Sequence, residues 1–241
     1  MNFPFYIARR YLFSKKSHSA INVISLVSVL GVMIASTALV CTLSVFNGFQ
    51  DLVASCFTCF DPELKVMPAK GKTFSQSAPV LNNIRQDADV QVACGVLEDA
   101  ALARYADRQA VIMLKGVEDN FDECTDIETI LYGNGRFALH ADVLQYGIPG
   151  IRLAMYFNMG TSFIDPLEVF TPRKGAKINM MDPTSNFNHD ELNSTGVVFS
   201  VNQKKYDQEY LLCSLDFAQK MFEKKGQISA LELKLKPGAD V

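Results

Sequence analysis

Residues 21–46 read INVISLVSVLGVMIASTALVCTLSVF, and from Ser19 through Gln50 the chain carries no Asp, Glu, Lys, Arg or His. About 20 apolar residues cross the hydrocarbon core of a bilayer, so this run spans one with some tilt or continues beyond it. A helix in a soluble core is apolar along one stripe, seldom on every face over such a length. The flanks orient the span. Arg9, Arg10, Lys15 and Lys16 precede it with no acidic residue, whereas Asp51, Asp61 and Glu63 follow. The bias of basic residues toward the cytoplasm predicts a cytoplasmic N-terminus and an exterior location for everything after Gln50. A cleaved signal peptide fits poorly, because the apolar region is too long and no small-residue cleavage site follows. Cys41 is no better as a lipidation site, since Val40 stands where a small residue is needed.

The span has a texture. At helical spacing Ser28, Gly31, Ala35, Ala38 and Thr42 fall in a stripe about 80° wide, with Leu26, Val29, Leu30, Met33 and Val40 covering much of the other side. Small residues let a second membrane helix approach closely, so Ser28, Gly31, Ala35 and Ala38 are expected to pack against a helix this chain does not contain. Asn47 and Gly48 end the long apolar run and are expected at the outer membrane boundary, because an amide is costly in hydrocarbon.

With 241 residues, 49% hydrophobic and 20% charged, the chain has room for one span and one ordinary domain or two small packed subdomains. A net charge of −3 argues against a nucleic-acid partner, which needs a basic face. Of the six cysteines, Cys56, Cys59, Cys94, Cys124 and Cys213 follow the span, an odd number that cannot all pair within one chain. Cys56-x-x-Cys59 has no second pair at zinc spacing and no nearby His, so no metal site is expected and the thiols read as structural.

Before the span, Phe3, Phe5, Ile7, Tyr11, Leu12 and Phe13 alternate irregularly with the basic residues. That suits a short cytoplasmic helix over residues 1–18 in the headgroup region, its cations near anionic lipid; a purely topogenic basic flank has the same composition. Three motifs then follow in order: Arg10-Tyr11-Leu12, an I-S-x-x-S-x-x-G helix from Ile24 to Gly31, and S-V-F-N-G-F from Ser44 to Phe49. Together they resemble the N-terminus of the lipoprotein-releasing ABC transporter permeases (LolC/LolE type), within a wider class that includes MacB-type efflux and FtsX-type division permeases. The resemblance implies a span over residues 19–49 that extends outward to about residue 60. It also implies a mixed α/β periplasmic domain of the MacB-like kind over residues 61–241, in a bacterial inner membrane. Three further membrane helices belong to the resembled permeases, so the chain is expected to hold the first half only. The implied partners are a cytoplasmic ABC ATPase, a second permease subunit, lipoprotein cargo, a periplasmic carrier and membrane lipid. If cargo acyl chains leave the outer leaflet beside this helix, Val40, Leu43, Phe46 and Phe49 are the apolar positions they would meet. Facing bulk lipid is the alternative role for the same side chains.

The domain after the span reads as α+β. Strands are expected at Glu63–Met67, Val90–Val96, Ala100–Tyr105, Gln109–Leu114, Leu167–Thr171, Gly196–Val201, Glu209–Cys213 and Ile228–Lys236. Ala106-Asp107-Arg108 is a hairpin turn. Short helices are expected at Pro79–Asp87, Asp126–Tyr132, Ile151–Asn158 and Leu215–Lys225, the last capped by Ser214. Arg173–Ser194, polar and aperiodic, is a long loop or an excursion hairpin. Leu114-Lys115-Gly116-Val117-Glu118 resembles a strand end of the same permeases, and Gly150–Phe157 resembles their G-x-x-L-A-x-x-L segment, with Phe157 in place of an aliphatic residue.

No catalytic constellation is visible. His18, His140 and His189 are far apart, no phosphate-binding Gly-Lys loop occurs, and Glu98-Asp99 and Asp190-Glu191 read as solvated turns. No cofactor is implied, and any ATP hydrolysis is expected in a separate subunit. A permease component, a mechanotransmission module and a single-pass anchored binding domain all remain open on these residues. The predicted topology has a direct check. In a background lacking the native cysteines, an impermeant thiol reagent should label Gln50→Cys and not Ala35→Cys; equal labelling rates would overturn the topology.

Overall fold

The structure is a computed structural model that describes residues 3–12, 20–58, 60, 62–173, 186–236 and 238. It divides into two units, Met1–Val53 and Ala54–Val241. The first holds α1 (Phe3–Leu12) and most of α2 (Ala20–Thr58), whose residues from Ala54 on belong to the second. The 39 residues of α2 are about 58 Å long at 1.5 Å per residue, nearly twice a hydrocarbon core.

The second unit is a mixed α/β domain. Its first half runs β1 (Leu64–Val66), β2 (Phe74–Ser75), α3 (Pro79–Arg85), β3 (Val90–Tyr105), β4 (Arg108–Val117), α4 (Phe121–Cys124), a 3-10 turn at Ile127–Ile130, β5 (Leu131–Gly133), β6 (His140–Ala141) and β7 (Leu144–Pro149). Its second half runs α5 (Ile151–Phe157), β8 (Leu167–Pro172), β9 (Phe187–Ser194), β10 (Val197–Phe199), α6 (Lys204–Glu209), β11 (Tyr210–Ser214), α7 (Leu215–Met221), β12 (Gln227–Ile228) and β13 (Ala230–Leu235). The main sheet has the order β1-β13-β3-β4-β11-β7-β9-β8, and β8 also pairs with β3, so the strands from β3 round to β8 close on themselves. Closure removes two sheet edges whose unpaired N–H and C=O groups would otherwise recruit other chains.

β3 is the spine. The hairpin at Ala106-Asp107 pairs β4 along β3 from Tyr105↔Arg108 to Val96↔Val117. On its other side β3 pairs with β13 through Val96 and with β8 from Leu102 to Arg104. Successive side chains of a strand point to opposite faces. Ala93, Leu97, Ala101 and Ala103 of β3, with Leu211 of β11 and Leu231 of β13, therefore join the apolar cluster covered by α5 and α7. Cys94 and Val96, with Leu212 and Ala230, join the other, covered by Phe60, Phe121 of α4, Ile127 and Phe199 of β10. The room expected for two small subdomains is occupied by these two clusters on one sheet.

Several local expectations change. Two strands were expected where β3 is a single strand of 16 residues. The interrupting Glu98-Asp99 is not a solvated turn: Glu98 lies directly opposite Lys115 of β4, and Asp99 accepts from Lys224 Nζ at 2.9 Å. Asp190-Glu191 likewise lies inside β9, which pairs antiparallel with β8, and Asp190 holds Lys220 at 2.6 Å. The polar stretch Arg173–Ser194 is thus a hairpin excursion at least in its second half; residues 174–185 lie outside the described residues. Asp126–Tyr132 forms a single 3-10 turn, because Leu131 leaves it to pair with Phe199. Helix α7 starts as expected, with Ser214 Oγ accepting from Phe217 N–H at 3.2 Å, but stops at Met221. Glu223 then takes a left-handed backbone (φ 54°), and Lys224 turns back to Asp99.

The contact between α7 and β4 depends on Gly116. A Cβ there would collide with Ala218 and stand 3.1 Å from the Ser214 carbonyl oxygen and 3.3 Å from Leu215 Cα. Gly116→Ala should force the helix outward and cost about 1–3 kcal/mol, the usual range for overpacking. Urea unfolding of the purified chain in detergent, followed by far-UV circular dichroism, checks this; an unchanged midpoint would show that the helix yields freely.

Candidate functional site

Every site residue expected from the sequence lies on α2. The stretch Val23–Val53 reaches a mean hydropathy of 2.4 over its most apolar 18 residues, none of them buried, which by length and composition suffices to cross a membrane. Four of its hydroxyls bond back within the helix. Ser28 donates to the Ile24 carbonyl at 2.9 Å, Ser36 to Val32 at 2.7 Å, Thr37 to Met33 at 2.8 Å and Thr42 to Ala38 at 2.8 Å. In hydrocarbon such back-bonding relieves the cost of an unpaired donor.

Ser28, Gly31, Ala35 and Ala38 share one face, and a Cβ at Gly31 would meet nothing within 4 Å. A partner helix could approach closely along this stripe. Asn47 and Gly48 do not interrupt α2, which continues to Thr58. Val40, Leu43, Phe46 and Phe49 are all exposed. They are not one face, however: three-residue steps turn back by about 60° each, so Val40 and Phe49 stand on opposite sides. Phe46 and Phe49 continue the small-residue stripe, and Val40 and Leu43 lie away from it.

In the α/β domain the densest group of charges is buried. Lys115 of β4 is 2% exposed and Glu232 of β13 is fully buried. Lys115 Nζ donates to Glu232 Oε1 at 2.9 Å and Oε2 at 3.2 Å, and stands 3.4 Å from Glu98 Oε1. Lys65 of β1 completes the group, 3.4 Å from Glu98 and 3.5 Å from Glu232. Strand register explains the assembly: Glu98 is directly opposite Lys115, and Lys65 directly opposite Glu232. The ammonium of Lys115 also lies against two rings, Phe60 at 4.7 Å and Phe121 at 5.2 Å from their centroids. Phe60 in turn stacks on Phe199 at 5.1 Å and meets Tyr206 and Tyr210. The chain therefore enters the domain through a residue packed over a buried charge.

Burial by itself lowers the pKa of Lys115, but Glu232 and then Glu98 outweigh it and hold it above the ordinary value of 10.5. Burial raises that of Glu98, and Lys115 followed by Lys65 more than reverses this, leaving it below the ordinary 4.5. An amine held protonated is no nucleophile, so this group positions strands and offers no covalent chemistry. The thiols are similarly quiet. Burial pushes Cys94 and Cys213 well above the ordinary thiol range and Cys124 up to about 11, which disfavours the reactive thiolate. Cys59 and the side chain of Cys56 lie outside the described residues, as does His18. His140 faces Asp119 at 3.5 Å, and His189 stacks on Phe170 with centroids 4.6 Å apart. Among the described residues no three His, Cys, Asp or Glu side chains are grouped to hold a metal.

Two surface grooves went unread in the sequence. One, about 410 Å³, lies between β4 and α5 and is lined by Val111, Ile112, Leu153 and Tyr156. The other, about 450 Å³, joins Val143 and Leu144 to Asp190, Glu191 and Asp216. In the run QAVIML every residue but the first is apolar, so alternation could not reveal that Val111 faces outward.

No protein-family model matches the sequence, and no curated protein matches it. Among solved structures, the α/β architecture is similar to the extracellular domain of the noncanonic ABC-type transporter YknZ from Gram-positive bacteria. That match has a TM-score of 0.48 and 12% identity, over 72% of this chain and 83% of that one. It is also similar to the periplasmic region of MacB from Actinobacillus actinomycetemcomitans, with a TM-score of 0.43 and 11% identity over 66% of this chain and 64% of that one.

The buried charges make a pH-dependent prediction. Lys115→Met leaves Glu232 and Glu98 sharing only the half-exposed Lys65, and should cost about 3–5 kcal/mol near neutral pH. Glu98, with its lowered pKa, stabilises the fold above about pH 4.5 and loses that contribution as pH falls through its folded value. Lys115, with its raised pKa, contributes fully below about pH 10.5 and is lost only above it. The deficit of the variant should therefore be widest between these limits and narrow below pH 4.5. Urea titrations across pH test it, and a deficit that stays constant into acid would overturn the assignment.

Proposed function

We propose that the chain is the first membrane helix and outer domain of a permease subunit of an ABC transporter, anchored in a bacterial inner membrane with its α/β domain in the periplasm. The transporter releases lipid-anchored proteins from the outer leaflet to a periplasmic carrier. Its cytoplasmic ATPase supplies the energy, and a second permease subunit, like or unlike, packs on the stripe Ser28, Gly31, Ala35 and Ala38. The observation that carries this proposal is the order of motifs on one helix: I-S-x-x-S-x-x-G at its start and S-V-F-N-G-F where its apolar run ends. The exposed Phe46 and Phe49, which continue the face of small residues, support it further, since an acyl chain beside the outer half of the helix would meet them. Moving an acyl chain from lipid to a protein site gains little from burial alone, at about 0.8 kcal/mol per CH₂ on either side, so fit and headgroup contacts must supply the selectivity.

A second proposal shares the scaffold: a permease through which nothing passes, transmitting ATPase motion to a periplasmic partner. The unbroken run of α2 past Gly48 to Thr58 favours it, because a continuous helix is a stiff lever. One experiment separates the two. A photo-crosslinking residue at Leu43 or Phe46, in the chain assembled with its ATPase and partner subunit, should capture a lipidated protein and release it on ATP addition. Capture of phospholipid alone, unchanged by ATP, would overturn lipoprotein release and leave the lever.

A further inference from the structure

The closed sheet has a gap. β4 pairs with β3 from Arg108 to Val117, but on its other side β11 reaches it only from Met113 onward. The cause is α6, which keeps the chain helical to Glu209 and releases it as a strand at Tyr210, opposite Met113. Arg108–Ile112 are left as a strand edge about 17 Å long, at 3.4 Å per residue.

The hairpin decides what this edge offers. Its two-residue turn at Ala106-Asp107 makes Tyr105 and Arg108 a hydrogen-bonded pair. Arg108, Ala110 and Ile112 therefore direct their backbone groups at β3, and Gln109 and Val111 direct theirs at the gap. The Tyr156 hydroxyl agrees, donating to the Gln109 carbonyl at 3.1 Å from α5. Among the described residues nothing bonds to the N–H or C=O of Val111, and its side chain is 74% exposed. Open edges are commonly blunted by lysine, proline or a bulge, and Ala110-Val111-Ile112 has none of them.

The groove of about 410 Å³ runs beside this edge. Leu153 and Tyr156 line it from α5, Gln208 and Glu209 from α6. Glu209 is the single charge in that lining, is exposed, and joins no ion pair among the described residues. Each feature selects a complement. The backbone groups of Val111 match an extended chain, the side chains on α5 match apolar residues, and Glu209 matches a cation.

We propose that this edge docks an extended peptide of a partner protein, added to the sheet beside Val111. Its apolar side chains lie on Leu153 and Tyr156, and a lysine or arginine meets Glu209. The site belongs to the α/β domain and stands under either reading of the transporter. The probe is a fluorescent heptapeptide, Lys-Val-Thr-Val-Thr-Val-Lys, blocked at both ends; a lysine at each end serves either strand direction. Its anisotropy is followed as the full chain in detergent is titrated in. Val111→Pro removes the free N–H without touching the bonds to β3 and should weaken binding about tenfold. Glu209→Gln should weaken it about threefold, and added salt should act in the same direction. Methylating alternate peptide nitrogens gives two analogues. One carries its methyl groups toward β4 and should not bind; the other carries them away and should bind as before. If Val111→Pro lowers the melting temperature, this pair still decides, because it leaves the protein unchanged. Two analogues that behave alike would overturn strand pairing. No anisotropy rise with the unmodified peptide would overturn the site. A concentration-dependent dimer dissolved by Val111→Pro, without peptide binding, would assign the edge to a second copy of the chain instead.

Discussion

The ammonium of Lys115, 2.9 Å from Glu232 and enclosed by the rings of Phe60 and Phe121, ties together the parts of the α/β domain that sequence distance would keep apart. Removing such a charge from water costs several kcal/mol, and only excellent geometry repays it. Here the geometry comes from strand register. Lys65, Glu232, Glu98 and Lys115 occupy β1, β13, β3 and β4, neighbours in the sheet drawn from both ends of the domain. A slip of one residue in any of these strands would turn its charge into the opposite apolar cluster, so the group selects one register among those that apolar alternation alone would tolerate.

The same constraint fixes where the chain enters the domain. Phe60 lies over Lys115 and stacks on Phe199, which itself belongs to the small β5–β10 ladder. The cluster around Phe60 is thus built from an aromatic ring just after a long apolar helix, a buried cation, and elements from the middle and end of the chain. The opposite cluster is ordinary by comparison, aliphatic and closed by α5 and α7, with close approach at Gly116 its tightest requirement. A domain with one polar-centred and one apolar face can lose packing on the second by small steps. On the first, losing one charge exposes the others.

Helix α2 obeys a different solvent. Four of its serines and threonines bond back to their own helix, its two Asn, Asn22 and Asn47, stand near the two ends of the apolar run, and its one sidedness is of size, not polarity. That is the pattern expected when neighbouring helices, not water, decide which face matters.

The apolar run, its charge-free length and the basic-to-acidic change across it were legible in the sequence, because membrane insertion depends on composition and local order, which need no knowledge of distant residues. So were the hairpin at Ala106-Asp107, the cap at Ser214 and the inward face Leu153, Ala154 and Phe157, each a short-range effect. Glu98-Asp99 was misread as a turn for the opposite reason. Two adjacent carboxylates look solvated until Lys115, Lys65 and Lys224 are known to surround them, and those partners come from β4, β1 and the turn after α7. The winding of Val40, Leu43, Phe46 and Phe49 around α2 follows from helical pitch and was in reach of the sequence. The outward face of Val111 and the groove beside it were not, since a strand apolar on both sides reveals its exposed side only when its neighbours in the sheet are in place. Local chemistry determined the span and the turns; the pairing of distant charges, which only the closed sheet brings together, decided the core.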